Sequence, residues 1–79
     1  MKPLHIADCV RNDLQTYLRD LGPSRPSDLY AMLITVVERP LLEVVMAHAD
    51  NNQSRAAQYL GLNRNTLRKK LIAHKLLKE

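Results

Sequence analysis

The tripeptide Gly61-Leu62-Asn63 constrains this 79-residue chain more than any other feature, because it joins two short helical segments by a gap that only a turn can fill. Gln53-Ser54-Arg55-Ala56-Ala57-Gln58-Tyr59-Leu60 runs before it, and Arg64-Asn65-Thr66-Leu67-Arg68-Lys69-Lys70-Leu71 runs after it. Gly61 supplies the positive φ that ends one helix, and Asn63 is a cap for the next. Ala56 and Ala57 are small enough to let a second helix approach closely. Leu67 and Leu71 repeat at the four-residue spacing of a single apolar stripe, which leaves Arg64, Arg68, Lys69 and Lys70 on a short basic helix with one dry face. The pattern predicts a helix-turn-helix, in which the second helix enters the DNA major groove. Glycine-turn hairpins also occur in proteins that never touch nucleic acid, so charge has to separate the two readings.

Charge is divided along the chain. Met1 to Asp50 carry five basic and seven acidic residues, a net of −2, whereas Asn51 to Glu79 carry seven basic residues and Glu79 alone on the acidic side, a net of +6. The overall +4 therefore hides a strongly basic C-terminal third. A solvated face more often mixes signs, while a stretch of one sign attracts a phosphate backbone. Double-stranded DNA is the expected partner.

Upstream, Pro3 to Leu21 reads as a first helix. Pro3 suits its first position, Leu4, Ala7, Val10, Leu14, Tyr17, Leu18 and Leu21 keep the helical period, and Gly22-Pro23 ends it. Gly22-Pro23-Ser24-Arg25-Pro26 is a connector stiffened by two prolines. Ser27 is the expected cap of a long second helix over Asp28 to Ala49, with Leu29, Leu33, Val36, Val37, Leu41, Val44, Val45 and His48 three or four apart. Met32, Leu42 and Met46 widen its apolar face beyond what one partner helix covers. Pro40 removes a backbone donor within this run and predicts a kink; two helices meeting at Arg39-Pro40 are the alternative. The fold class is thus all-α, with four helices: a two-helix dimerisation core over residues 1–50 and a helix-turn-helix over 51–79, in one compact domain. Two apolar helices and a small hairpin cannot cover their own stripes, so an intertwined homodimer is expected.

The same residues exclude several classes. No nucleophile–base–acid set is suggested, and two glycines, Gly22 and Gly61, cannot build a phosphate-cradling loop, so no catalytic residue and no cofactor is expected. His5, His48 and His74 are too scattered for a metal site. The absence of Trp and Phe leaves no stacking platform for single strands. Met32, Met46, Tyr17, Tyr30 and Tyr59 fall at helical spacings and read as core, and the lone Cys9 as a buried, inert thiol. No run approaches the ~18 apolar residues of a membrane span, and the N-terminus lacks a signal-peptide core; a cytoplasmic protein is expected.

Asn52-Gln53-Ser54-Arg55-Ala56-Ala57, Gly61-Leu62-Asn63-Arg64 and Thr66-Leu67-Arg68-Lys69-Lys70-Leu71 resemble the DNA-binding end of the Fis family, the bacterial factor for inversion stimulation. Asp28-Leu29-Tyr30 and Glu38-Arg39-Pro40-Leu41-Leu42-Glu43 are similar to the same family's central helix, so the resemblance runs from about Leu14 to Lys75. It implies a homodimeric, DNA-bending nucleoid protein and transcriptional regulator. Its recognition helices would sit closer together than one turn of straight B-DNA, on degenerate, pseudo-palindromic sites. By resemblance, Asn63 and Arg64 read bases; Thr66, Arg68, Lys69 and Lys70 hold the backbone and groove edge, as do Asn52 and Ser54 at the preceding helix. Longer members carry an N-terminal arm that meets a recombinase, and this sequence starts its first helix almost at Met1, so recombinase contact is not expected. Asp50 puts negative charge at the turn through which the resemblance implies contact with the transcription machinery, which argues against that contact. Asn65 stands where glycine is common. A helical protein-interaction module with a basic tail, and the detached DNA-binding end of an NtrC-like activator, are the alternative readings.

Overall fold

The computed structural model describes residues 5–78, which form four helices and, among the described residues, no strand. They are α1 (Ile6–Leu21), α2 (Leu29–His48), α3 (Gln53–Leu60) and α4 (Arg64–Ala73). The suggested start of the first helix at Pro3 lies outside the described residues.

The helix ends follow from local chemistry. α1 stops at Gly22, whose φ of 60° with ψ of −129° lies outside the left-handed helical region and suits glycine alone. α2 does not start from a Ser27 cap: the chain enters it through Asp28 in the left-handed conformation, with φ 53° and no side-chain capping bond. The Asp28 carbonyl takes the first helical bond from Met32 N–H at 3.0 Å, so Ser27 sits one residue too early to reach the first turn. Helix α2 then runs unbroken through Pro40, and the two-helix alternative is not realised.

Three helices close with the same backbone pattern, in which an N–H reaches the carbonyl five residues back. Asn51 N–H bonds Met46 O at 2.9 Å, Leu62 N–H bonds Ala57 O at 2.9 Å, and Leu76 N–H bonds Leu71 O at 2.8 Å. Each turn needs a left-handed residue, supplied by Asp50 and Asn51, by Gly61 at φ 72°, and by Lys75 at φ 59°.

The core lies at one end of the chain. Leu42 and Ala49 of α2 and the following turn, Ala56 and Ala57 of α3, and Leu67 and Leu71 of α4 are fully or nearly fully buried. Val45, Met46, Leu60, Leu76 and Leu77 pack around them. This core crosses Asp50, so the second half of α2 belongs structurally with the hairpin. The α1 half is different: no residue of α1 is buried, and Val10, Leu14, Tyr17 and Leu21 are only half covered. Between α1 and α2 runs an open groove of ≈850 Å³, lined by Ile6, Val10, Leu14, Leu33, Val36, Val37, Leu41 and Val44 among others. Cys9 is exposed at this groove and not buried, because none of the described residues packs over that part of α1. Tyr30 and Tyr59, expected in the core, are 81% and 56% exposed. The radius of gyration is 15.3 Å, against about 12 Å for a compact chain of this length.

Lys75 holds a conformation that glycine takes without cost. Lys75→Gly is expected to stabilise the chain by about 0.5–1 kcal/mol, read as a raised midpoint in thermal denaturation followed by far-UV circular dichroism.

Candidate nucleic-acid interface

Helix α4 is set by the packing of its own stripe. Leu67 and Leu71 are 0% and 1% exposed, and this pins the rotation of the helix about its axis. At 100° per residue, Asn65 and Lys69 then point away from the core, with Arg68 on one flank and Thr66 and Lys70 on the other, while Arg64 lies nearer the apolar stripe at the open start of the helix. Arg64, Asn65, Thr66, Arg68 and Lys69 are all exposed. Among the described residues, none of Arg55, Arg64, Arg68 and Lys69 enters an ion pair. Their charges face solvent unneutralised.

Two asparagines start the helices that frame this surface. Asn52 Oδ1 accepts from Arg55 N–H at 3.0 Å, capping α3, and Asn63 Oδ1 accepts from Asn65 N–H at 2.7 Å, capping α4. Each carboxamide uses one lone pair of its oxygen on the helix, and among the described residues its NH₂ donates to no other group. The NH₂ of Asn63 is placed to donate to an acceptor beyond the chain. Arg64, in the first turn, carries no such commitment. Ser54 is exposed in the first turn of α3, beside the cap Asn52.

Lys70 is placed differently from its neighbours. Its Nζ lies 2.8 Å from Glu38 Oε2 of α2, and the side chain is half-buried. The other oxygen of the same carboxylate, Oε1, meets His74 Nε2 at 2.8 Å. An ionised carboxylate only accepts, so His74 carries its proton on Nε2 and donates it. Next to Glu38, the guanidinium of Arg39 donates to the His74 carbonyl, one of the orphan acceptors at the end of α4, where a cation also suits the helix dipole. The expected backbone contact of Lys70 is thus in competition with an intramolecular partner. Sequence reading missed Glu38, Arg39 and His74 because they lie more than thirty residues from one another in pairs that only the folded chain joins.

The geometry is that of a two-helix reader with a basic, unpaired outer face, and the comparisons with known proteins agree with it. Residues 34–74 match the family described as "Bacterial regulatory protein, Fis family". The chain belongs to the Fis family. A Ralstonia nicotianae protein described as Fis-like and DNA-binding is 60% identical over 91% of this chain and 94% of its own length. A similarly described protein of Neisseria meningitidis serogroup B is 51% identical over 91% of each. The DNA-binding protein Fis of Proteus vulgaris is 47% identical over 89% of this chain and 73% of its own. Membership in this family of regulators places the chain outside the enzymes.

In this Fis-family chain the Lys70 ammonium, and after it His74, hold the Glu38 carboxyl below its ordinary pKa of 4.5. A carboxylate held down in the folded state stabilises it above the unfolded pKa, and that contribution disappears as pH falls through the lowered folded value. Wild type should therefore exceed Glu38→Gln in thermal midpoint at pH 6, and the difference should shrink as the pH falls below the ordinary carboxyl range and through the lowered folded value. A difference that does not change with pH across the acid range would mean the carboxylate charge contributes nothing.

Proposed function

We propose that two copies of this chain pair through α1 and α2 and present two α3–α4 units to successive major grooves of double-stranded DNA, which they bend as a nucleoid-associated transcriptional regulator. The observation that carries DNA binding is the exposed, unpaired basic face of α4, held outward by buried Leu67 and Leu71. Relatives described as DNA-binding over nearly the whole length of the chain support it. Pairing is supported by the uncovered groove between α1 and α2 and by exposed Val36, Leu41 and Val44, which one chain leaves in water. Burying such surface is worth roughly 25 cal/mol per Å² removed from water. A second copy brings the same apolar stripes in a closed, symmetric arrangement.

Within this reading Arg64 donates two bonds to guanine O6 and N7. Asn63 and Asn52 donate through their free NH₂ groups, and Ser54, Thr66, Arg68 and Lys69 hold phosphates and the groove edge. Lys70 adds positive potential while tied to Glu38, and contributes less by direct contact than Lys69.

Fluorescence anisotropy on an A/T-centred palindromic duplex and a random duplex, across salt concentrations, tests the assignment. Arg64→Ala should lose about 1–3 kcal/mol on the preferred duplex and little on the random one. Lys69→Ala should weaken both alike and reduce the salt slope by about one unit, with a smaller reduction for Lys70→Ala. Equal losses on both duplexes for Arg64→Ala would remove it from readout. Bending is read from electrophoretic phasing of the same site.

Pairing has its own measurement. The thermal midpoint of a dimer that folds as it assembles rises with chain concentration, so a hundredfold dilution should lower it. An unchanged midpoint, with a monomer mass in solution, would refute the dimer.

A further inference from the structure

Among the described residues, every side-chain hydrogen bond that spans more than four positions of sequence belongs to one cluster: Glu38 with Lys70, Glu38 with His74, and Arg39 with the His74 carbonyl. All three join α2 to the last turn of α4. Leu42 shares one buried cluster with Leu67 and Leu71, and that packing decides which side of α4 faces inward. The bonds to Glu38 add a directional constraint at the far end of α4, because both oxygens of one carboxylate are held by residues one helical turn apart. Lys70 and His74 thereby hold the height of α4 against α2.

Resting on the dimeric reading above, we propose that Glu38 is a positioning residue for DNA recognition: it locks the recognition helix to the dimerisation helix and so sets the separation at which the two readers of a dimer meet the duplex. α2 belongs to both jobs. One face of it borders the uncovered groove, and another carries Leu42 in the buried cluster with Leu67 and Leu71 of α4 and Ala56 and Ala57 of α3. Whatever fixes α4 on α2 therefore fixes it relative to the symmetry axis. The tolerance is narrow, because a displacement of about 3.4 Å at each reader is a full base-pair step along a strand. Glu38 itself lies under the reader, bonded to Lys70 and His74 and half-buried, and it need touch no DNA.

The test is a set of palindromic duplexes whose half-sites are moved apart one base pair at a time, with a random duplex of the same length. Wild type, Glu38→Gln and His74→Phe are titrated against each by anisotropy, with far-UV circular dichroism confirming that each protein is folded at the temperature used. Wild type should show one preferred spacing. Glu38→Gln should reduce discrimination between that spacing and its one-base-pair neighbours by about five- to tenfold while changing random-duplex affinity little. His74→Phe, which leaves Lys70 in place, should broaden the optimum less, and it carries the test if Glu38→Gln is unfolded. A folded Glu38→Gln that weakens all duplexes in proportion, leaving the optimum as sharp as in wild type, would overturn the positioning role and reduce the cluster to stability. A wild type indifferent to spacing would overturn the paired-reader function itself, and this inference with it.

Discussion

The contact of Leu67 and Leu71 with Leu42, Ala56 and Ala57 is the interaction on which the rest of the molecule depends. Helix α4 has ten residues, too few to be helical alone in water, so its order comes from tertiary packing. The two alanines of α3 are buried to 0% and 4%, which lets α4 lie close enough for its leucines to fill the space beneath. Once that stripe is seated, the orientation of every other α4 side chain follows from helical geometry, including the outward aim of Asn65 and Lys69. An apolar pair thus determines where the charges stand.

The α1 half shows what the chain leaves unfinished. α1 is an amphipathic helix of 16 residues with half-covered apolar positions and no buried one. Its exposed Asp8–Arg11 pair, at 2.8 Å, is of the kind that contributes little to stability. The driving force for ordering α1 has to come from covering the groove it forms with α2. A radius of gyration above that of a compact chain says the same thing in length. In the proposed dimer, folding of α1 and association become one event.

What the sequence made legible is mostly local chemistry. Gly61 and Asn63 punctuate the hairpin as their backbone and capping preferences require, and Leu67 and Leu71 face the core. Pro40 is carried inside an unbroken helix. The start of α2 was misplaced by one residue, because Asp28 tolerates a left-handed φ and takes over the position assigned to Ser27. Cys9 and the two outer tyrosines were misplaced for a different reason: periodicity says which residues share a face, and not whether anything in the same chain covers it. Glu38 was beyond reach of any periodic argument. Its partners lie thirty-two and thirty-six positions away, and only the docking of α4 on α2 brings them together.

The caps of α3 and α4 carry the argument one step further. The bond from Asn65 N–H to the Asn63 carboxamide oxygen makes Asn63 a cap. That bond satisfies one of the orphan donors of α4 before any DNA arrives and stiffens the turn from which Arg64 projects. A guanidinium on a stiff first turn has less freedom to lose on binding than one on a frayed end, so more of its interaction with a base survives as affinity. The remaining free N–H groups of that turn sit at the positive end of the helix dipole, where a phosphate is favoured. In the proposed complex, Asn63 contributes to specificity less by what it touches than by holding Arg64 still, and the clamp at Glu38 does for the far end of α4 what Asn63 does for the near one.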